Sequence, residues 1–186
     1  VSFKPAGRDA TQLVGALVTE EFFPVFGVAP ARGRGFNADE FSAAAARTAV
    51  LSHAAWRKHF GERASVVGET VVLDDQPVTI VGIMPEDFRE PEFVDIWRPF
   101  PAEAPENLAR DSRFWTTVGR LAPGATATTA QAEATLISDA LAKQYPSTNK
   151  GWSMTVRPLL EQRVGNLRGS LLLLVGAVGL VLLIAC

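Results

Sequence analysis

The sequence predicts an α+β domain in which helices pack on one face of β-sheets. Short β-branched runs, such as VTIVGIM at 78–84, have the composition of strands. From residue 128 onward the apolar residues instead recur at helical spacing. Of the 186 residues, 47% are hydrophobic and 20% are charged, so a mainly disordered chain is excluded. This length suits one domain or two small ones.

The first predicted elements are a strand and a short helix. The apolar run LVGALV at 13–18 is typical of a buried strand. Thr19 is then expected to cap a short helix with two glutamates in its first turn, where the helix dipole favours acidic side chains. Gly27 is placed to end that helix.

A second strand and helix are predicted between residues 48 and 61. The run TAVLS at 48–52 reads as a strand, and Ser52 can cap the helix that follows. The spacing of three apolar residues puts them on one face of this helix: Ala55, Trp56 and Phe60. Gly61 is expected to end it.

A β-hairpin is predicted next. Its strands are 70–73 and 78–84, and residues 74–77 connect them. The connection begins with Asp-Asp, a weaker signal than Asn-Gly for a two-residue primed turn. A further short strand is predicted at 93–97, ended by Pro99.

The last predicted group is a βαβ-like or split βαβ unit. Its strands are 115–121 and 152–157, the second because apolar and polar residues alternate there. Thr128 and Gln131 form a candidate capping box for the intervening helix. The buried stripe of this helix is predicted to consist of Ala130, Ala134, Ile137 and Leu141.

The sequence ends in an apolar run. Residues 171–186 read LLLLVGAVGLVLLIAC, in which 14 of 16 residues are apolar, two are Gly and none is charged. The preferred interpretation is the first part of a transmembrane helix, and a buried core helix is the alternative. The chain begins at Val1 without Met and is expected to be a fragment. Residues 159–168, if helical, would form a stiff stalk rather than a passive linker.

The residues give no candidate catalytic, cofactor-binding or metal-binding site. His53 and His59 are six apart, which on a helix places them about 120° from facing each other, so they cannot share a metal ion. Asp74 and Asp75 fit an exposed turn better than an acid–base pair. The RGRG sequence at 32–35 lacks the preceding strand and the Lys-Ser/Thr pair of a phosphate-binding loop.

Composition excludes further function classes. Eighteen Lys and Arg against 20 Asp and Glu give a net charge of −2, which argues against a nucleic-acid-binding protein. A single cysteine excludes a disulfide scaffold and a multi-cysteine zinc site. The lack of a nucleophile–base pair argues against a soluble hydrolase.

A set of short phrases, in order over nearly the whole chain, resembles the extracytoplasmic core domain of MacB-type ABC transporter permeases, the group with an FtsX-like permease domain. The phrases are EFFPVFGV (21–28), GRGF (33–36), VLS (50–52), WRKHFG (56–61), VVG (66–68), VTIVGIMPEDF (78–88), DIWRP (95–99), GRLAPG (119–124), AQAE (130–133), YP (145–146), PL (158–159) and LVLLIAC (180–186). The sequence departs from the family pattern at 74–75, where Asp-Asp stands in place of Asn-Gly.

The resemblance implies a domain organisation. Residues 1–36 and 112–166 would form a porter-like α/β unit, and 37–111 an inserted small mixed α/β unit. Residues 167–186 would be the stalk and the start of a transmembrane helix.

The resemblance also implies a function. The domain would be non-catalytic, would lie on the periplasmic side of the bacterial inner membrane, and would couple ATP-driven motion to substrate export or extraction. Implied partners are an ABC ATPase domain or subunit, the lipid bilayer, a second permease subunit in a dimer and a periplasmic adaptor protein, with no nucleic acid and no cofactor. The alternative is a membrane-anchored periplasmic module that binds a lipid, sugar or peptide without transporting it.

Overall fold

The computed structural model describes residues 1–4, 10–104 and 115–162, and these confirm the predicted α+β class. The strands of this part of the chain are β1 (Ser2–Lys4), β2 (Thr11–Gln12), β3 (Gly15–Val18), β4 (Arg32–Gly33), β5 (Thr48–Leu51), β6 (Thr70–Leu73), β7 (Gln76–Ile83) and β8 (Ile96–Pro99). Its α-helices are α1 (Phe22–Phe26), α2 (His53–Phe60), α3 (Ala127–Gln144) and α4 (Pro146–Asn149).

The chain divides into two compact units, Val1–Arg120 and Leu121–Cys186. The first contains β1 to β8 together with α1 and α2, and the second contains α3 and α4. The division into 1–36 with 112–166 and a separate unit at 37–111 stays a prediction.

The sheet of the first unit closes on itself. Its strand order is β2–β1–β6–β7–β5–β8–β3, and β4 pairs with the end of β7. The two ends of this order, β2 and β3, both belong to residues 11–18, which pair antiparallel with β1 and then parallel with β8. Leu13, which lies between β2 and β3, exchanges two N–H···O hydrogen bonds with Val1: the Val1 amino group donates to the Leu13 carbonyl at 2.9 Å, and the Leu13 N–H donates to the Val1 carbonyl at 2.8 Å. One stretch of chain therefore joins both edges of the sheet.

The β6–β7 hairpin has a two-residue primed turn. Asp74 and Asp75 have φ values of 49° and 59°, and Leu73 pairs with Gln76 across the turn. Positive φ at both central residues is the type I′ geometry, which matches the twist of the flanking strands. Strand β7 therefore begins two residues earlier than the sequence predicts. The Asp74 carboxylate accepts a 2.8 Å hydrogen bond from the Ser2 N–H, which anchors a turn that lacks glycine.

Two hydrophobic clusters lie against the sheet. Ala49 and Leu51 of β5 belong to one cluster and Val50 to the other, because successive strand residues point to opposite faces. The first cluster includes Trp56 and Phe60 of α2. The second is rich in aromatic rings: Phe22, Phe23, Phe26, Phe36, Phe88 and Trp97.

Helix α2 confirms its sequence prediction. The Ser52 Oγ accepts a hydrogen bond from the Ala55 N–H at 3.1 Å, which caps the first turn. Its three predicted apolar residues, Ala55, Trp56 and Phe60, are all buried. Gly61 ends the helix with φ 60°, a conformation in which Gly has no Cβ penalty.

The predicted cap of α1 is wrong, although its end is confirmed. The N-cap is Glu21, which makes no side-chain cap bond, and no acidic residue lies in the first turn. Thr19 instead uses its backbone carbonyl, which accepts from the Phe22 N–H at 3.1 Å. Residues 19–22 form a turn closed by this bond, and the helix begins only after it, at Phe22, so both glutamates precede the helix. Gly27 ends it with φ 68°.

Predicted strands at 115–121 and 152–157 are not strands in the described residues. A strand needs a neighbour for its backbone hydrogen bonds, and alternation of residue types does not supply one. The strand predicted at 93–97 is shifted, because Phe93 has φ 67° and β8 begins at Ile96. Pro99 does not end this strand but is its last residue. Strand β5 pairs only with Ile96 and Trp97 of β8, so the missing N–H of Pro99 removes no hydrogen bond between β5 and β8.

Helix α3 begins before the predicted cap. Thr126, not Thr128, is the N-cap: its Oγ1 accepts from the Thr129 N–H at 3.1 Å, and the Thr129 Oγ1 accepts from the Thr126 N–H at 2.9 Å. This reciprocal pair is a capping box built from two threonines. It replaces the predicted pair of Thr128 and Gln131.

The predicted stripe of α3 is not buried. Ala130, Ala134 and Leu141 are partly buried, and Ile137 is 53% exposed. The buried residue of this helix is Ser138, the neighbour of Ile137. The Ser138 hydroxyl donates to the Ala134 carbonyl at 2.7 Å and accepts from the Met154 N–H at 3.1 Å. Burial of this polar side chain is tolerated because its hydrogen bonds are satisfied.

The predicted membrane helix at 171–186 lies outside the described residues, as do the last residues of the predicted stalk at 159–168. None of the helices in the described ranges combines the length and the apolar character that a membrane span needs.

Candidate functional site

The two histidines lie on α2 but contact different neighbours. The His53 ring packs edge-on against Trp56, with ring centroids 5.3 Å apart. The His59 ring lies 6.5 Å from the Phe3 ring. Burial and then the charge of Lys58 lower the pKa of the His59 imidazole, against a smaller opposite effect of Asp95. Neither arrangement is a general acid–base pair.

The turn at Asp74 and Asp75 is an architectural feature of the hairpin. Asp74 exchanges backbone and side-chain hydrogen bonds with Ser2, and its carboxylate lies 3.6 Å from the Arg98 guanidinium. Among the described residues, no group of three or more His, Cys, Asp or Glu side chains could hold a metal ion.

The RGRG sequence forms strand β4 and a side-chain network. The Arg32 guanidinium lies 5.2 Å from the centroid of the Trp56 ring, a cation–π contact. Arg34 makes two hydrogen bonds to the Glu40 carboxylate, of 2.8 and 3.0 Å. Burial raises the pKa of the Glu40 carboxyl, but bonds from Arg34 and the Asn37 N–H outweigh it, so this pKa is lowered. Both arginines therefore contact other side chains of the first unit.

Large exposed apolar side chains are concentrated in the second unit. Five of them lie between residues 136 and 160, on α3 or after it: Leu136 (68% exposed), Ile137 (53%), Trp152 (58%), Met154 (45%) and Leu160 (72%). We call these five the apolar surface of the second unit. Exposed apolar side chains are typical of surfaces that pack against another protein segment or a membrane where they form a contiguous patch.

Segment 152–157 is held to α3 by Gln131 as well as by Ser138. The Gln131 Oε1 accepts from the Val156 N–H at 2.7 Å, and its Nε2 donates to the Met154 carbonyl at 3.0 Å. The side-chain amide thus takes the place of a neighbouring strand. Sequence reasoning assigned Gln131 to a cap, because nothing in the local pattern indicates a partner 25 residues away.

Comparison with known proteins identifies similar domains. A family model described as MacB-like periplasmic core domain matches residues 2–137. The chain is 32% identical over 93 residues to "Macrolide export ATP-binding/permease protein MacB" of Burkholderia pseudomallei (strain K96243), covering 47% of this chain and 14% of that protein. The protein of the same name from Burkholderia thailandensis is 31% identical over 93 residues. The chain therefore spans only a small part of these curated relatives.

Two solved structures share the fold. The periplasmic region of MacB from Actinobacillus actinomycetemcomitans has a TM-score of 0.51 and 14% identity, covering 77% of this chain and 62% of that one. A domain assigned to a permease protein from Porphyromonas gingivalis has a TM-score of 0.52 and 16% identity, covering 87% and 76%.

Proposed function

Because the chain belongs to the MacB-like periplasmic core domain family, we propose that it is the extracytoplasmic domain of an ABC transporter permease subunit. The family match over residues 2–137 is the observation that carries this proposal. The shared fold of the two solved periplasmic domains supports it. The match does not favour the alternative of an anchored binding module without a transport role.

The proposed role is mechanical and non-catalytic. ATP hydrolysis would take place in a separate ABC domain or subunit, and the domain would pass the resulting motion to the periplasmic side. The side-chain geometry is compatible with this role, since His59, Asp74 and Arg34 are each engaged in packing or structural hydrogen bonds.

The second unit is the proposed part of the domain that receives this motion from the membrane. Segment 152–157 lies on α3 through Gln131 and Ser138, and in sequence it leads through Pro158 towards the apolar run. We propose that displacement of a membrane helix at 171–186 is passed along 159–168 to this segment and to α3. A hinge or shear motion of this kind needs no ligand in the domain.

The proposed setting follows the family. The protein would be anchored in the bacterial inner membrane with this domain on the periplasmic side, and two permease subunits would act together with an ABC ATPase and a periplasmic adaptor protein. The apolar surface of the second unit suits packing against another part of such an assembly.

The test is a flexible insertion in the complete transporter, expressed in cells that are assayed for efflux of a macrolide. The macrolide is chosen because the curated relatives are named for macrolide export. Insertion of Gly-Gly-Gly-Gly-Ser after Gly165 is expected to abolish most efflux while the purified transporter still hydrolyses ATP. A flexible linker cannot transmit force, whereas a helical one can.

The matched control inserts the helix-forming Glu-Ala-Ala-Ala-Lys at the same position. This insertion has the same length and is expected to retain more efflux than the flexible one. Equal efflux from the unmodified transporter and the flexible variant would contradict mechanical coupling. A complete protein that neither contains nor stimulates an ABC ATPase would contradict the proposed function itself.

A further inference from the structure

Strand β3 has one unpaired edge. On its other edge it pairs parallel with β8, where the Val14 carbonyl accepts a hydrogen bond from the Ile96 N–H at 3.2 Å. Successive residues of a strand direct their backbone N–H and C=O groups to opposite sides, so those of Gly15 and Leu17 point away from β8. Among the described residues, these four groups have no hydrogen-bond partner.

This edge is open to solvent and has apolar side chains beside it. Gly15 is exposed, and the side chains of Val14 and Leu17 are 52% and 44% exposed. An exposed strand edge is a template on which a further strand can pair. Main-chain hydrogen bonds then supply the attraction, and neighbouring side chains add apolar contacts.

Strand β1 is directed towards the same edge. Its antiparallel register places Phe3 opposite Thr11, and the register continues to Val1 and Leu13, which exchange two hydrogen bonds. A Cβ atom on Gly15 would meet the Val1 side chain. The beginning of β1 therefore already lies beside the beginning of β3.

The register also fixes what a continuation of β1 would face. Each step back from Val1 is one step forward from Leu13, so the second position before Val1 lies opposite Gly15 and the fourth lies opposite Leu17. Hydrogen-bonded pairs alternate along antiparallel strands, and Val1 with Leu13 is such a pair. The pairs at Gly15 and Leu17 would be hydrogen-bonded too. The free groups of β3 thus have the spacing and direction that this continuation needs.

The other edge of β1 offers no competing partner at this end. Strand β6 pairs with β1 there, and Ser2 is bonded to Asp74 in the turn that ends β6. A continuation before Val1 passes this turn. Among the described residues, β3 is then the one strand placed to pair with it.

From this geometry we propose that the residues preceding Val1 in the complete protein continue β1 and occupy the free edge of β3. The chain would then enter the first unit along β3, from its Val18 end. A strand that Val1 has already aligned loses less conformational freedom on pairing than a separate peptide or a second copy of the chain does. This pairing is independent of the proposed transport role.

The test compares the 186-residue chain with a longer chain that also contains the residues encoded directly before Val1, about eight, the length of an ordinary strand. Hydrogen exchange of the Gly15 and Leu17 amides, measured by NMR, is expected to be at least about tenfold slower in the longer chain. The Ala16 and Val18 amides face β8 in both chains and are the internal control, expected to change less than about threefold.

Two substitutions separate backbone pairing from apolar contact. Leu17→Pro removes the N–H that points away from β8, whereas Leu17→Ala keeps it and only shortens the side chain. In the longer chain, Gly15 exchange is expected to stay slow in Leu17→Ala and to be at least about threefold faster in Leu17→Pro. Circular dichroism establishes that each variant is folded.

Equal exchange of the Gly15 and Leu17 amides in the two chains would overturn the proposal. Protection of these amides that is already present in the 186-residue chain and increases with its concentration would also overturn it, because the edge would then be assigned to a second copy. Equal Gly15 exchange in the two Leu17 variants of the longer chain would contradict pairing through the backbone.

Discussion

Two glycines mark the closest approach between strands β4 and β7. A Cβ atom on Gly33 would collide with the Val81 carbonyl oxygen, and one on Gly82 would collide with the Arg34 carbonyl oxygen. Both obstacles are backbone atoms, which cannot move aside as a flexible side chain can. Gly33 also has φ 71°, so it has a second reason to be glycine.

Gly82→Ala is therefore expected to lower the free energy of unfolding by about 2–3 kcal/mol, because the added methyl group forces the strands apart. Equilibrium unfolding in urea measures this change. Gly35→Ala is the matched control, since a Cβ there has no neighbour within 4 Å, and it is expected to change stability by less than about 0.5 kcal/mol. Equal effects of the two substitutions would contradict the steric explanation.

Individual residues were predictable from the sequence where their role depends on nearby residues. Ser52 as a cap and Gly61 as a helix end depend only on residues within one or two turns. The role of Gly33 was not, because the obstacle is contributed by β7, far along the chain. The turn at Asp74 depends on both nearby and distant residues. Its position was predicted, but the Ser2 N–H that anchors it was not.

At the scale of elements, helices were predicted better than strands. The hydrogen bonds of a helix join residues close in sequence, so the spacing of its apolar residues and its capping residues can be recognised within one short segment. The segment at 152–157 has the alternation of a strand, but its backbone groups bond to side chains of α3. The same pattern therefore serves either a strand or a segment docked on a helix, and only the partner decides.

Gln131→Ala is expected to loosen segment 152–157 on α3, where the bond from the Met154 N–H to Ser138 remains. It removes two hydrogen bonds, each worth about 1 kcal/mol, so hydrogen exchange of the Val156 amide is expected to become at least about tenfold faster. Exchange measured by NMR or mass spectrometry reports this directly. Gln144→Ala, at the exposed end of the same helix, is the control and is expected to leave Val156 unchanged. Equal Val156 exchange in the unmodified chain and in Gln131→Ala would contradict this account.

At the scale of the whole molecule, the sequence predicted the class of fold and, through the resemblance, the family. Closure of the sheet was not predicted. The sequence predicts one strand at 13–18, and nothing in residues 11–18 indicates that Thr11–Gln12 pairs with β1 and Gly15–Val18 with β8. The aromatic cluster around Phe23 and Trp97 likewise combines residues that are distant in sequence.

A chain that ends after Arg120 is expected to fold by itself. The closed sheet and both hydrophobic clusters lie within the first unit, so the unfolding midpoint in urea should be nearly that of the complete chain. Amide exchange of β3 gives a sharper measurement. The division into 1–36 with 112–166 predicts that β3 loses protection in the shortened chain, whereas its pairing with β8 predicts that protection stays.

The closure of the sheet also sets an order of events during synthesis. The bond from the Val14 N–H to Asp95 spans 81 residues, and the parallel pairing of β3 with β8 starts at the same place. A ribosome delivers the N-terminal strand long before its partner, so β3 must wait until Pro99 has emerged. Pairings at such separation are slow to form, and an unpaired strand is a site of misassembly in the meantime. The pairing of β8 with β3 is therefore expected to be the last step of folding in this unit.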